Sequence, residues 1–182
     1  IPVKPLKQYP LWLRPFFYNQ RRKYGAVLDP GLLWGRVPKL FAAVALLYGA
    51  IDRSASPLDQ VLRSLVTVRV SQINWCHFCV DINSATLATR AGSMDKVEQL
   101  EHWRESALFD DKERLALEYA EAVTYSDQQV SPELMARLKL FFDDDAVIDL
   151  TGLIAFQNLS SKFNAALDVP SQGFCTPGGQ IK

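Results

Sequence analysis

The sequence predicts an all-α fold, and three observations carry that prediction. Apolar residues recur at helical spacing through most of the chain after Pro57, a capping residue precedes nearly every such segment, and no stretch sustains the period-two alternation of a half-buried strand. With 182 residues, 48% of them apolar, there is material for one well-buried domain and an N-terminal extension, not for two full domains. The expected division is an N-terminal arm over 1–38, a helical domain over 39–170 and a flexible C-terminal tail over 171–182.

The arm is rich in proline and aromatics (Tyr9, Trp12, Phe16, Phe17, Tyr18, Trp34), which predicts an irregular segment laid on the core or on a neighbouring subunit. Its basic cluster, Arg21-Arg22-Lys23, has no wider basic stripe around it and reads as a solvated face. The apolar run Leu40 to Ile51 is too short for a membrane span and is bounded by Lys39 and Asp52, so a buried helix is expected there.

Leu58, Val61, Leu62, Leu65, Val66, Val68 and Ile73 then fill one broad helical face. The β-branched run Val66 to Val70 also suits a strand, but the Ser56-Pro57 start signal and the length of the pattern favour a helix from about Pro57 to Ile73. Asn74 is positioned to cap the next helix, which carries Cys76 and Cys79 and runs to Ala91, with Gly92 as its left-handed stop. Ser93 precedes a helix over Met94 to Glu105. Asp110 and Glu113 have capping-box spacing before Leu115 to Val123, and Ser131-Pro132 opens Glu133 to Phe142. Asp143 to Asp145 place negative charge at the start of a last helix, Ala146 to Leu167, which Pro170 prevents from continuing.

Lysine plus arginine number 20 and aspartate plus glutamate 20, so no long-range field draws in nucleic acid or an anionic membrane, and neither is expected as a partner. The third thiol, Cys175, is far in sequence from the other two. That usage does not read as a secreted disulfide framework and points to a reducing, cytoplasmic compartment.

The chemistry concentrates in Asn74-Trp75-Cys76-His77-Phe78-Cys79. A disulfide needs Cα atoms within about 7 Å, which one turn of helix supplies. Unpaired N–H groups at the helix start would favour a thiolate on Cys76, the nearer thiol. His77 adjoins Cys76 and either supports that thiolate or faces solvent. Trp75 and Phe78 flank the pair, either keeping water from it or lining a pocket beside it, or simply packing in the core.

The run Leu65-Val66-Thr67-Val68-Arg69-Val70-Ser71-Gln72-Ile73-Asn74-Trp75-Cys76-His77-Phe78-Cys79 resembles the core of the carboxymuconolactone decarboxylase and alkylhydroperoxidase-D-like family. Phe109 to Arg114, Ala120-Glu121-Ala122, Leu153 to Asn158 and Phe163 to Leu167 resemble the second half of its peroxidase-related members. The likeness covers roughly 38–170. It implies an alkylhydroperoxidase-D-like helical subunit, assembly into a homo-oligomer (dimer, trimer or hexamer), and reduction of hydroperoxides at the expense of a thiol or dithiol reductant, with no cofactor and no metal. It further implies that Cys79 is the peroxidatic cysteine and Cys76 the resolving one.

Family members relay protons through a glutamate twelve positions before the first cysteine, a histidine just before the second and a histidine four after it. Here those positions are Ser64, Phe78 and Asn83. Serine and asparagine hold hydrogen bonds but do not take up a proton near neutral pH. Ser64, Asn83 and His77 are therefore the candidates for supporting roles. Asp81 lies about 200° round the helix from Cys79 and is not on its face. Asn158 and Asn164, six apart on the last helix, fall on opposite sides of it and are expected not to act together, each serving helix packing.

Other readings compete. A thioredoxin-like site would need a strand before Trp75, and the segment there has a helical pattern. A zinc site from Cys76, Cys79, His102 and Cys175 lacks a second paired cluster. Lactone decarboxylation in the same family does not rely on two cysteines. A non-catalytic or redox-sensing scaffold with a structural cysteine pair suits the missing relay.

Overall fold

The computed structural model describes residues 1–53, 55–176 and 180–181, and in them the chain is built from helices. They are α1 (Arg14–Tyr24), α2 (Asp29–Gly35), α3 (Pro38–Ile51), α4 (Gln60–Ile73), α5 (His77–Ala91), α6 (Asp95–Gln99), α7 (Asp111–Thr124), α8 (Pro132–Leu138) and α9 (Asp144–Ala166). Short 3-10 turns lie at Leu6–Gln8, Leu11–Leu13 and Leu100–His102. A two-residue antiparallel pair, Cys175–Thr176 with Gln180–Ile181, closes the tail. Among the described residues no helix is long and apolar enough to cross a membrane.

The hub is α4, which is buried on both sides because its apolar residues go round the helix. Leu62, Val66 and Val70 meet Ala116, Tyr119 and Ala120 of α7 and Leu150 and Ile154 of α9. Leu65 and Val68 face the other way, toward Leu87 of α5 and Trp103, Phe109 and Leu117. The polar residues of α4 follow this burial. Arg63 is buried, donating to the Ile51 and Arg53 carbonyls at the end of α3, and Arg69 reaches Glu121 of α7 at 2.7 Å.

Several boundaries match the sequence expectations. Gly92 ends α5 with φ 73°, a left-handed backbone. Asp110 and Glu113 form the reciprocal capping box of α7, Ser131 caps α8, and the Asp143 carboxylate accepts from Ala146 N–H at the head of α9. Others move. Asp59, not Ser56-Pro57, starts α4, its carboxylate accepting from the N–H groups of Val61 and Leu62. The stretch after Ser93 forms α6 and a 3-10 turn and stops at His102, and α8 stops at Leu138. Asn74 does not cap α5. It ends α4, and Cys76 is the cap.

The arm is not irregular. It folds into α1 and α2, and its aromatics make a cluster of their own: Tyr9, Leu13, Phe17, Leu32 and Trp34 are buried together with Phe41 of α3. Trp34 stacks on Phe163 of α9, ring centroids 3.5 Å apart, so the segment lies on this chain's own core. The helix expected over Leu40 to Ile51 forms, but of α3 only Phe41 is buried, and Leu46 is 78% exposed. One side of α3 packs on α2 and α9, and Leu40, Leu46 and Leu47 are exposed.

The tail is held at its start. Ser171 Oγ and the N–H groups of Gln172, Gly173 and Cys175 all donate to the Asp81 carboxylate, at 2.7–2.9 Å. Gly173 has φ 75°, which suits glycine in the turn round that carboxylate. Residues 177–179 and 182 of the tail expected to be flexible lie outside the described residues.

Candidate active site

The local fold around the cysteines follows from the break between α4 and α5. Trp75 takes a left-handed φ of 54° and turns the chain, after which Cys76 N–H donates to the Ser71 carbonyl and Cys76 becomes the N-cap of α5. Its sulfur accepts from Cys79 N–H at 3.2 Å. A thiol thus occupies the position usually filled by a serine or aspartate oxygen, and satisfies one of the orphan donors of the helix start. Asn74 ties the turn down by donating to Asn158 Oδ1 at 2.9 Å and Ser161 Oγ at 2.8 Å.

All three cysteines are free thiols. Cys76 is 1% and Cys79 2% exposed, in an apolar cluster with Leu28, Phe78 and Phe174, against which Cys175 packs. The two sulfurs differ in what they face. Cys79 lines a cavity of about 460 Å³, also walled by Phe41, Leu153, Phe156 and Gln157, whereas Cys76 lies behind it, outside that lining.

They differ in acidity too. The hydrogen bond from the Cys79 thiol holds the Cys76 thiol below its ordinary value against the opposing effect of burial, with Cys79 N–H and Asn164 helping. The same bond pushes Cys79 strongly upward, joined by burial and by the nearby charge of Cys76; Asn164 and Ser160 pull it back. Both directions, and the Cys79 N–H donated to Cys76 Sγ, favour negative charge on Cys76 over Cys79.

Of the supporting candidates, Ser64 and Asn83 reach the cavity wall and His77 does not. Ser64 Oγ donates to the Gln60 carbonyl and accepts from Arg90 at 2.9 Å. Asn83 donates to Ser71 Oγ, which also accepts from Gln157 at 2.9 Å. His77 is exposed in the first turn of α5. Trp75 is 81% exposed and neither shields the thiols nor lines the cavity, because its left-handed backbone turns it outward; Phe78 does line it. Asp81 faces away from Cys79, as the helix geometry predicts, and is spent on the tail. Among the described residues no group of three or more His, Cys, Asp or Glu is placed to hold a metal ion, which leaves the zinc reading without its ligand cluster.

The residue that sequence reasoning passed over is Asn164. It and Asn158 have separate partners, as expected, but packing is not all that Asn164 does: its Nδ2 donates to Cys79 Sγ at 3.3 Å. Its Oδ1 is buried and has no hydrogen-bond partner among the described residues. Ser160, one turn earlier on α9, lines the cavity beside Cys79. The available signal was the i, i+4 spacing of two polar residues, Ser160 and Asn164, on the last helix.

Comparison with known proteins bears out the family and the fold. The model of the carboxymuconolactone decarboxylase family matches residues 38–122, a span that includes both Cys76 and Cys79. The protein YnjA of Escherichia coli K12 is 50% identical over 173 residues, covering 95% of each chain. In fold, the chain is similar to a peroxidase-related protein of Ralstonia eutropha JMP134 with an alkylhydroperoxidase AhpD core: TM-score 0.86, 22% identity, 94% of this chain and 91% of that one. It is also similar to the debrominase Bmp8, with TM-score 0.81 and 22% identity over 93% of this chain and 90% of the other. By its motif, its fold and these relatives, the chain belongs to the carboxymuconolactone decarboxylase family.

Proposed function

We propose that this protein is a thiol-dependent peroxidase that reduces hydroperoxides through a dithiol–disulfide cycle of Cys76 and Cys79. The observation that carries the reading is two free thiols joined across one helical turn, with one of them in the wall of a cavity. Cys79 is the sulfur that an entering peroxide meets, and Cys76, carrying the charge, is the base beside it. A proton passes from Cys79 to Cys76, and the Cys79 thiolate attacks the outer peroxide oxygen. The O–O bond breaks, an S–O bond forms, and the alkoxide leaves as alcohol on taking up a proton. Cys76, having given that proton to the alkoxide, attacks the Cys79 sulfenic sulfur as a thiolate; the S–O bond breaks, and the hydroxide leaves as water on taking a proton from solvent, with the disulfide formed.

One hydroperoxide and two thiols thus give one alcohol, one water and one disulfide. This route replaces the family's glutamate and histidines with the second cysteine. Asn164 N–H supports the Cys79 thiolate, and its unpartnered Oδ1 is an acceptor for the sulfenic hydroxyl. Turnover needs an external thiol or dithiol reductant.

The test is intact mass and free-thiol titration of the reduced protein before and after stoichiometric tert-butyl hydroperoxide. Loss of about two thiols and about 2 Da is expected. Cys79→Ser should lose neither, while Cys76→Ser should react once and stop with one added oxygen. Equal single-turnover rates in the two variants would overturn the role assignment, and no change in the parent protein over minutes would make the pair structural.

The cavity's aromatic wall supports a second reading, reductive removal of a halogen from an aromatic ring, the kind of activity named for Bmp8. There two thiols and an aryl bromide would give a disulfide, the arene and bromide with a proton. Release of bromide from a brominated pyrrole, in step with thiol loss, distinguishes it.

A further inference from the structure

The cavity beside Cys79 is much larger than a small peroxide needs. One face of α5 forms part of its lining: Cys79, Asn83, Thr86 and Arg90 follow one another at spacings of 4, 3 and 4 residues, which places them in one row. Cys79 and Arg90 are separated by about 16 Å along the helix axis. Side chains on a helix lean toward its N-terminus, which brings the guanidinium back toward the thiol, to roughly 10–15 Å. The lining sets the apolar Phe41, Val44, Ala45, Ile82, Leu153 and Phe156 beside the polar Thr67, Asn83, Thr86 and Gln157.

The charge at the far end is unbalanced. Lys23, Arg63, Arg90 and Asp52 are the charged residues of the lining. Asp52 is committed to Arg63 at 3.2 Å and accepts from Tyr48 at 2.9 Å, and Arg90 Nη2 lies 3.9 Å away from it. Arg63 is occupied by two backbone carbonyls as well. Arg90 uses Nη1 on Ser64 Oγ and the Gln60 carbonyl. Its Nε makes no hydrogen bond among the described residues and its Nη2 has only the loose 3.9 Å ion pair with Asp52, so that edge of the guanidinium can take a carboxylate with two parallel N–H···O bonds.

We propose that the cavity binds a long-chain carboxylate, its head group on Arg90 and its chain along the α5 face. Resting on the peroxidase reading, the hydroperoxide reduced is one carried on such a chain. The distance fits an –OOH group on the order of ten carbon–carbon bonds of about 1.5 Å, in zigzag, from the carboxylate. The products are the hydroxy acid, water and the Cys76–Cys79 disulfide.

Binding and chemistry are tested separately. Calorimetric titration of the reduced protein with dodecanoate and with dodecanol, neither of which oxidises a thiol, reads the site alone. Dodecanoate is expected to bind at least tenfold more tightly. Arg90→Gln should bring the ratio near one, and Arg90→Lys, which keeps the charge and guards against a folding defect, should restore most of it. Equal affinity for acid and alcohol in the parent protein, or no saturable binding, would overturn the proposal. Loss of the preference in Lys23→Gln but not in Arg90→Gln would overturn the anchor.

Stopped-flow thiol oxidation by a C18 fatty-acid hydroperoxide should then be at least tenfold faster than by its methyl ester. Dodecanoate binding without thiol loss to either peroxide would overturn the peroxidase reading and the substrate, and leave the carboxylate site. Thiol loss at equal rates with acid and ester would overturn the substrate and leave the peroxidase.

Discussion

A sulfur at an N-cap is a weaker acceptor than an oxygen, yet here it is the second cysteine that makes the position effective. Cys79 supplies both a backbone N–H and a thiol proton to Cys76, so the acidity of the pair is a property of the two together. Replacing Cys79 by alanine removes the larger donor. The Cys76 thiolate loses its main stabilisation, and its titration, followed by thiolate ultraviolet absorbance, should move to higher pH than the first titration of the parent protein. Asn164 is the other residue whose contact bears on the chemistry. Asn164→Ala deletes one hydrogen bond to Cys79 Sγ, the sulfur proposed to attack, worth about 1–1.5 kcal/mol, so single-turnover thiol oxidation should slow by roughly tenfold with little change in unfolding midpoint. The first effect acts across three positions of chain, but the second does not follow from sequence distance, since Cys79 and Asn164 are 85 positions apart.

At the level of elements, caps decide where helices begin and a buried carboxylate decides where the tail goes. The capping box of α7 was legible because both partners lie within four residues of each other. The caps of α4 and α5 were not. Asp59 competes with the Ser56-Pro57 signal just before it, and Cys76 caps only because Trp75 adopts a left-handed turn. Asp81 gathers four donors from 171–175. Burial alone would raise its carboxyl value; the N–H groups of Cys175 and Phe174 with the Ser171 hydroxyl and Gln172 N–H outweigh it, and the value is lowered. A carboxyl lowered in the folded state stabilises fully above its unfolded value, near 3.8, and that contribution is lost as pH falls through the lowered value. Asp81→Asn should therefore cost about 1.5–3 kcal/mol at neutral pH and flatten the acid limb below pH ~4. Urea unfolding across pH, with hydrogen exchange of 171–175, measures both.

For the whole molecule, the N-terminal helices complete the site. Trp34 and Phe163 join the first third of the chain to the last helix, and the cavity lies between them, α3 and α5. Trp34→Ala should lower stability by roughly 3–5 kcal/mol, read from the urea midpoint, and open one wall of the cavity. Glu121 shows the same convergence away from the site, since Arg69 of α4 and the adjacent Trp103 and Arg104 of the turn before α7 all donate to it. By itself the sequence determined the helical class, most of the long helices and the thiol pair, because periodicity, caps and a three-residue spacing are local and act through neighbouring backbone. Only the tertiary structure decided which thiol meets the cavity, that Asn164 donates to it, that the aromatic arm walls it, and that Arg90 Nε is left without a hydrogen bond among the described residues. Those depend on which helix faces pack together, and burial and charge compensation are settled by neighbours in space that the order of residues along one helix does not name.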